Sequence, residues 1–298
     1  MRTAFIDQLA AEARVNKKIF LVVGDLGYSV VESFASEFSD RFLNAGVAEQ
    51  NMTGIAAGLA SEGYHVFTYS IANFPTLRCF EQIRNDICYH KLPVTVVAVG
   101  AGLAYGNLGY SHHAVQDIAV MRTLPRLCLL SPADPGEARE AVAYLSANPG
   151  PSYLRLGKAG EKSLYNAKPL TQVPVVVLPG SPIVAIVATG SILSVALDAA
   201  SELVDAGEVP PTVISMPWIH PSGEGVVSSL SSFQHIICLE EHIPQGGLGE
   251  MLSAMLPRTI RISCLSLPSE AMTTVGSQSF LRAAAGLTVS RVIALLHS

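Results

Sequence analysis

Charged residues are scarce in this sequence. Only 14% of its 298 residues are Asp, Glu, Lys or Arg, the formal net charge is −5, and no basic run occurs. Proteins whose main partner is nucleic acid carry clustered positive charge, so the sequence argues against that class. So few charges over this length also imply a largely covered surface, and we expect large subunit interfaces.

The sequence has little that resembles a membrane span or a secretion signal. Its longest apolar run, from about Val94 to Ala104, is shorter than the roughly 20 residues that cross a bilayer. Asp7 and Glu12 interrupt what would be the apolar core of a secretory signal. We therefore expect a cytoplasmic protein with no membrane partner.

Cysteine is sparse and scattered. The five cysteines form no CxxC pair and lie at positions 79, 88, 128, 238 and 264. An odd number without close pairs predicts neither a disulfide framework nor a zinc site. We interpret the cysteines as small core side chains and expect this chain to supply no metal ligands.

Apolar residues, in contrast, make up 49% of the chain, enough to bury two cores. Near-continuous apolar runs alternate with helical patterns, which predicts an α/β protein with two consecutive domains and mainly parallel sheets. Strands are predicted at 19–24, 65–70, 93–99, 127–131 and 153–156, and then at 183–188, 212–216, 235–239 and 260–265. The expected domains are 1–160 and 183–298, with a proline-rich linker over 161–182.

Glu49 lies between a short apolar strand that ends at Gly46 and a predicted helix over 50–61. That helix is rich in Gly and Ala, so another backbone can approach it closely in an interior or an interface. An acid in the first turn is stabilised by the helix dipole and the free N–H groups there. Position alone favours that interpretation, and the alternative role, a buried general acid or base, needs further support.

Polar residues also follow two other predicted strands. Asp25 and Ser29 come just after the first strand, where open α/β sheets bind ligands, although both residue types also favour ordinary turns. Glu240, Glu241 and His242 form either a connection between layers or subunits or a catalytic group. The glycine-rich loop 100–113 lacks both GxGxxG and GK[ST], so we assign it no nucleotide.

The segment Gly46–Met52, with the sequence GVAEQNM, resembles the thiamine-diphosphate enzymes of the transketolase family. The likeness is strongest to the C-terminal subunit of split transketolases and extends to 1-deoxyxylulose-5-phosphate synthases. It covers nearly the whole chain, with further matches at 80–86, 109–112, 130–134, 153–156, 239–242, 246–249 and 275–278. The resemblance implies a pyrimidine-binding domain followed by a C-terminal domain.

The resemblance also implies roles for residues of the first domain. Glu49 would meet N1′ of the aminopyrimidine, which promotes loss of the thiazolium C2 proton and attack on a ketose carbonyl. An aromatic ring stacks on the pyrimidine in this family, and the alignment gives Phe74, with Tyr69 and Phe80 as alternatives. The implied cofactor contacts are Glu49, Phe74, Asp25, Leu26, Tyr69 and Arg78.

Substrate contacts follow from the same resemblance. His112 matches the histidine that faces the reacting oxygens and assists proton transfer. Arg2, Ser29 and Lys158 match positions that hold a sugar phosphate. Lys158 stands where an arginine is usual, which keeps the charge but loses bidentate geometry, and Arg155 is the alternative.

Two residues depart from the family pattern. Gly100 stands where a histidine is usual, and Leu108 replaces an aspartate that hydrogen-bonds a substrate hydroxyl. Because polar selectivity rests on such pairs, we expect a specialised substrate with fewer hydroxyl groups.

The family's diphosphate site needs a Gly-Asp-Gly segment followed by an Asn, which bind Mg²⁺. That pattern does not occur here. We therefore expect a separate diphosphate-binding subunit, an α2β2 heterotetramer, and transfer of a two-carbon ketol unit from a ketose to an aldehyde. The alternatives are the β subunit of a 2-oxoacid dehydrogenase first component, which transfers acyl groups, and a non-catalytic scaffolding subunit.

Overall fold

The computed structural model describes residues 1–298 and has two α/β domains with mainly parallel sheets, as the sequence predicted. The strands are β1 (Ile19–Val23), β2 (Phe42–Asn44), β3 (His65–Ile71), β4 (Val94–Val99), β5 (Cys128–Leu130), β6 (Ser152–Leu156), β7 (Val175–Leu178), β8 (Ser181–Thr189), β9 (Pro211–Ser215), β10 (Trp218–His220), β11 (His235–Glu240) and β12 (Arg261–Leu265). The α-helices are α1 (Arg2–Val15), α2 (Glu32–Glu37), α3 (Glu49–Ser61), α4 (Asn73–Thr76), α5 (Phe80–Gln82), α6 (Asp117–Met121), α7 (Pro135–Ala147), α8 (Leu193–Asp205), α9 (Glu224–Leu230), α10 (Leu248–Met255), α11 (Gln278–Ala284) and α12 (Val289–Leu296).

The first sheet has the strand order β10-β5-β6-β4-β3-β1-β2. Its central strands β3 and β4 are buried along nearly their whole length, as expected for a parallel sheet covered on both faces. Met52 and Ala56 of α3 belong to the core on one face, and Phe5 and Leu9 of α1 belong to the core on the other. Successive residues of β3 therefore point into two different cores.

The second sheet has the order β12-β11-β8-β9-β7, and β7 is antiparallel to its neighbour β9. β7 lies inside the segment expected to be only a linker, 161–182. Prolines at 174 and 179 flank this four-residue strand, which is why the sequence suggested only a linker. Proline is compatible with the ends of an edge strand.

The first sheet also takes a strand from beyond that linker. β10 pairs antiparallel with β5, with Trp218 opposite Leu130. A three-residue strand is too short to show a period, so the sequence pattern did not predict it. Elsewhere in this domain, β2 is a partly exposed edge strand, and α5 continues into a π-helix, Ile83–Tyr89.

The turn after β11 joins the two domains. The Glu240 carboxylate accepts N–H groups from Leu248 and Gly249 at the start of α10, at 2.7 and 3.1 Å. His242 Nε2 accepts the N–H of Ala119 in α6 at 3.3 Å. These contacts agree with the structural interpretation of this turn.

The segment Gln278–Leu296 has the length and apolar composition of a membrane-crossing helix. It is not an uninterrupted apolar run, because two arginines lie within it. In the structure this segment is not one helix, because it divides into α11 and α12 around Gly286. Leu281, Leu287 and Val292 are buried in the core of the second domain.

Candidate active site

Glu49 is the first residue of α3, and its carboxylate is buried, with 1% of the side chain exposed. One oxygen, Oε2, accepts a hydrogen bond from Arg78 Nη1 at 2.6 Å, and the other accepts one from Ser70 Oγ at 3.4 Å. Gly24, just past the end of β1, lies beside this side chain, since a Cβ there would be in ordinary van der Waals contact with Glu49 Cγ at 3.7 Å. The acid thus lies at the carboxyl ends of β1 and β3, where parallel sheets bind ligands.

Phe74 and His112 lie next to each other, and Arg78 links Phe74 to the acid. Their rings are 5.2 Å apart at an angle of 69°, and the Arg78 guanidinium lies 5.0 Å from the centre of the Phe74 ring. Asn73 fixes this arrangement, because its side-chain amide donates to the carbonyls of Ser111 and His113 at 3.1 and 2.7 Å. The structure therefore connects four of the predicted site residues, Glu49, Arg78, Phe74 and His112, in one continuous group of contacts.

The other aromatic candidates lie elsewhere. Tyr69 is 2% exposed and points to the sheet face opposite Glu49, where its ring stacks on Phe5 with centroids 5.8 Å apart. Phe80 packs against the core beneath α3. The alternative prediction that Tyr69 stacks on the pyrimidine therefore needs correction. Adjacent residues of a strand point to opposite faces, and Ser70 is the one on the Glu49 side.

An open concavity of about 520 Å³ adjoins this group. It is lined by Asn73, Phe74, Leu77, Arg78, Tyr110, Ser111, His113 and Gln116. His113, to which the sequence gave no role, is buried, and its Nε2 has no hydrogen-bond partner. Burial lowers the pKa of His113, so its imidazole is neutral near pH 7 and able to accept or donate a proton. Its position next to His112 in the sequence could have indicated that His113 belongs to the site.

Arg155 does not reach this concavity. It is 2% exposed and forms an ion pair with Asp117 at 2.8 Å. Its remaining bonds go to the carbonyls of Ala114 and Glu241, at 2.7 and 3.1 Å. The expectation that Arg155 binds substrate is therefore wrong, because its donors are used to fix the segment after His113 to the second domain.

The three residues assigned to a sugar phosphate lie at the start of α1, after β1 and after β6. Arg2 lines a smaller cavity of about 170 Å³ together with Leu26 and Tyr28, and Ser29 follows on the exposed turn. Lys158 is half-buried at the end of β6, and its carbonyl accepts a hydrogen bond from the Met1 amino group at 3.2 Å, which places it near the start of α1.

Asp25 has a structural contact as well. Its carboxylate accepts from Asn44 Nδ2 at 2.9 Å, and Asn44 Oδ1 accepts the N–H groups of Asp25 and Gly46 at 3.1 and 2.9 Å. Asp25 therefore fixes the turn from which α3 and Glu49 begin. The structure contains no group of three or more His, Cys, Asp or Glu side chains arranged to hold a metal ion.

A planar nitrogen-bearing group fits between Glu49 and Phe74, because the Arg78 guanidinium already makes both contacts. The fold and this geometry define a two-domain α/β protein that can hold a planar heterocycle against a buried acid.

Comparison with known protein families identifies the family to which this chain belongs. Residues 1–160 match the transketolase pyrimidine-binding domain, and residues 175–292 match the transketolase C-terminal domain. The chain belongs to the transketolase family. Membership implies the use of thiamine diphosphate.

Among the similar proteins, several are separate chains of about the same length. The chain is 32% identical to a putative transketolase C-terminal section from Methanocaldococcus jannaschii, over 86% of this chain and 81% of that protein. It is 34% identical to the B subunit of an apulose-4-phosphate transketolase from Phocaeicola vulgatus, over 90% and 88%. It is 31% identical to a 1-deoxy-D-xylulose-5-phosphate synthase from Geobacter sulfurreducens, over 97% of this chain but 46% of that enzyme.

A solved structure described as a split-gene transketolase, inactive β4 tetramer, superimposes with a TM-score of 0.84 and 34% identity, covering 98% of this chain and 95% of that one. A transketolase from Leishmania mexicana shares the fold with a TM-score of 0.81 at 20% identity, over 99% of this chain and 44% of that one.

Proposed function

We propose that this chain is the C-terminal subunit of a split transketolase-like enzyme that depends on thiamine diphosphate and Mg²⁺. With a diphosphate-binding partner it transfers a two-carbon ketol unit from a phosphorylated ketose to an aldehyde. The observation that carries the proposal is the buried Glu49 carboxylate at the start of α3, beside the Phe74 ring and an open concavity.

Within that reaction the residues of this chain have distinct tasks. Glu49 holds a proton at a ring nitrogen of the bound cofactor, and Phe74 supports the ring by stacking. Thiamine diphosphate supplies the carbon nucleophile when bound. His112 and His113, near Phe74 and the concavity, are suited to exchange protons with the substrate oxygens.

A separate partner is supported by the lengths of the relatives. Proteins described as a B subunit or a C-terminal section match along most of their length, whereas the synthase from Geobacter sulfurreducens is about twice as long. We propose an α2β2 assembly in which the partner covers the concavity. The partner would also supply the residues that bind the cofactor's diphosphate and Mg²⁺.

The substrate proposal is a phosphorylated ketose with few hydroxyl groups near Leu108. The B subunit of an apulose-4-phosphate transketolase is a relative. Arg2 supplies a cation in a cavity that is also lined by Ser70, whose hydroxyl donates to Glu49. Leu108 is 49% exposed on the turn before His112, where it offers a substrate no hydrogen bond.

Calorimetric titration of Mg²⁺ and thiamine diphosphate into this chain, the partner and their mixture tests the proposal. We expect binding only in the mixture, followed by ketol transfer between a ketose phosphate and an aldehyde. Acyl transfer to a lipoyl domain instead would identify a 2-oxoacid dehydrogenase subunit. Full activity with a Glu49→Ala chain would identify a scaffold, and tight binding by this chain alone would contradict the split site.

A further inference from the structure

The loop that carries His112 and His113 is closed at its base. Gly102 and Ala114 donate their N–H groups to each other's carbonyl oxygens, at 3.0 and 2.9 Å. Residues 103–113 therefore form a closed loop, and both histidines lie just before its closing end. Because His112 is only two residues from Ala114, a shift of the base also shifts the His112 imidazole.

The approach to this loop is tightly packed at Gly100. This glycine has φ = +103°, and a Cβ there would overlap the Tyr105 ring. A side chain at position 100 would therefore be strained and would displace that ring. The departure from the family pattern at Gly100 leaves no gap, because Tyr105 of the loop fills the space.

Two further glycines of the loop lie directly against the second domain. Gly102 has φ = +60°, and a Cβ there would lie 2.5 Å from Glu241 Cβ. At Gly106 a Cβ would overlap the Leu281 side chain, and the Gly106 carbonyl accepts the N–H of Gly276 at 3.3 Å. The backbone of the loop thus approaches the second domain so closely that no side chain fits between them.

Glu241 is held through both its side chain and its backbone. Its carboxylate is 4% exposed and accepts hydrogen bonds from Arg282 Nε and Nη2 and from Gln278 Nε2, each at 2.9 Å. Such a two-pronged pair of arginine and carboxylate fixes geometry as well as charge. The Glu241 carbonyl accepts from Arg155 Nη2 at 3.1 Å, and the same nitrogen donates to the Ala114 carbonyl at 2.7 Å. Glu241 therefore touches one end of the loop base directly and reaches the other end through Arg155.

We propose that Glu241 is a positioning residue that fixes the base of this loop and thereby places His112 beside Phe74. Arg282 and Gln278 hold its carboxylate in place. The importance of this placement for the reaction rests on the proposed function. The anchoring of the loop does not, so the two can fail separately. The family resemblance gave no role in the reaction to any residue of the second domain.

The test compares Arg282→Met, Arg282→Lys and Leu203→Ala in the assembled complex with thiamine diphosphate. Arg282→Met removes the charged donors to Glu241, whereas Arg282→Lys keeps one cation beside it. Leu203→Ala is the control, because Leu203 is buried in the core of the same domain but lies beside Ser181 and Leu296, away from the loop. It should lower Tm through a cavity and leave the loop unchanged.

Hydrogen exchange followed by mass spectrometry measures how firmly residues 103–113 are held. We expect exchange in this loop to become about tenfold faster in Arg282→Met and to recover partly in Arg282→Lys. Exchange in Leu203→Ala should match the wild type within this loop. Unchanged exchange in Arg282→Met would overturn the anchoring.

Kinetics separates positioning from general damage. A displacement of about 1 Å can cost about 100-fold in rate, so we expect kcat of Arg282→Met to fall about 10- to 100-fold. Its Kd for thiamine diphosphate should stay unchanged, because Glu49 and Phe74 belong to the first domain. Arg282→Lys should recover part of kcat, and Leu203→Ala should retain all of it. Equal losses of kcat in Arg282→Met and Leu203→Ala would contradict a positioning role.

Gln278→Met keeps the proposal testable if Arg282→Met does not fold. It removes one donor to Glu241 and leaves the ion pair in place, so we expect a smaller loss of kcat, about threefold, in the same direction. No change in either kcat or loop exchange would then overturn the proposal. A complex that transfers no ketol unit, but whose loop loosens in the Arg282 and Gln278 variants alone, would refute the proposed function and support the anchoring by Glu241.

Discussion

Arg78 donates from Nη1 to Oε2 of Glu49 at 2.6 Å, while the same guanidinium lies 5.0 Å from the centre of the Phe74 ring. One planar cation thus makes both contacts that a stacked, hydrogen-bonding heterocycle needs. Arg78 is about half exposed, with 49% of its side chain accessible, so it can swing out into solvent. If the cofactor binds at Glu49 as proposed, we expect Arg78 to move.

Replacing Arg78 with Gln should strengthen cofactor binding. A half-exposed ion pair is worth about 0.2–1 kcal/mol, so we expect the Kd for thiamine diphosphate in the assembled complex to fall by a factor of about 1.4 to 5. Calorimetry measures this Kd, and Arg84→Gln, an exposed arginine of the same segment, is the control. Weaker binding by Arg78→Gln would contradict the prediction and show that Arg78 holds the cofactor.

Replacing Glu49 with Gln should abolish catalysis and leave the fold intact. General acid–base groups contribute about 10²–10⁴ in rate, so kcat of the assembled complex should fall at least about 100-fold. The lost ion-pair partner, Arg78, is half exposed and can be solvated, so Tm should change little. Glu62→Gln, at the exposed end of α3, should retain full activity. A Glu49→Gln complex that kept its rate would remove the acid from the mechanism.

Replacing Arg155 with Met should destabilise the chain. Its guanidinium is fully buried against Asp117, and removal of one partner of a buried ion pair costs about 3–5 kcal/mol. Denaturant unfolding followed by circular dichroism measures the loss, and the exposed Arg139→Met is the control. A normal unfolding midpoint combined with a raised KM would show that Arg155 acts on substrate after all.

His65 should make the protein less stable in mild acid. It is buried in β3 with neither ring nitrogen paired, and burial lowers its pKa from 6.5 to about 4. Because the folded-state pKa is lowered, the unfolded chain takes up the proton first, and stability falls as pH drops from 6.5 towards 4. The expected loss from this group is about 2 kcal/mol at pH 5.

Unfolding free energies at pH 7 and pH 5 test this prediction. The His65→Leu variant should lose about 2 kcal/mol of the pH dependence, since leucine carries no titrating group. His90→Leu, at an exposed position, should retain it. Identical pH dependence in the wild type and His65→Leu would show that His65 is not the responsive group.

The sequence predicted most of the fold because buried parallel strands and their helices leave local patterns. All nine strands predicted from periodicity are present to within two residues at either end. The strands β7 and β10 were missed, since segments of three or four residues carry no usable period. The acid Glu49 was recognised from its place at a helix start together with a family motif.

The site was predictable only in part, because side-chain direction depends on register. Tyr69 and Ser70 are neighbours in the sequence, yet only Ser70 faces Glu49. Arg155 was named as the alternative substrate ligand because the family has an arginine where Lys158 stands. Its actual partners include the carbonyl of Glu241, 86 residues away, which no local pattern reveals.

By itself the sequence determined that the protein is α/β with two domains, that it resembles transketolases, and that Glu49 begins α3. The first follows from local periodicity and composition, and the other two rest on short sequence motifs that need no tertiary contact to be read. Only the tertiary structure decided that Arg78 lies between Glu49 and Phe74, that Arg155 is buried, and that Tyr105 fills the space above Gly100. Each of these depends on packing between distant segments, where burial and pairing select one direction for every side chain.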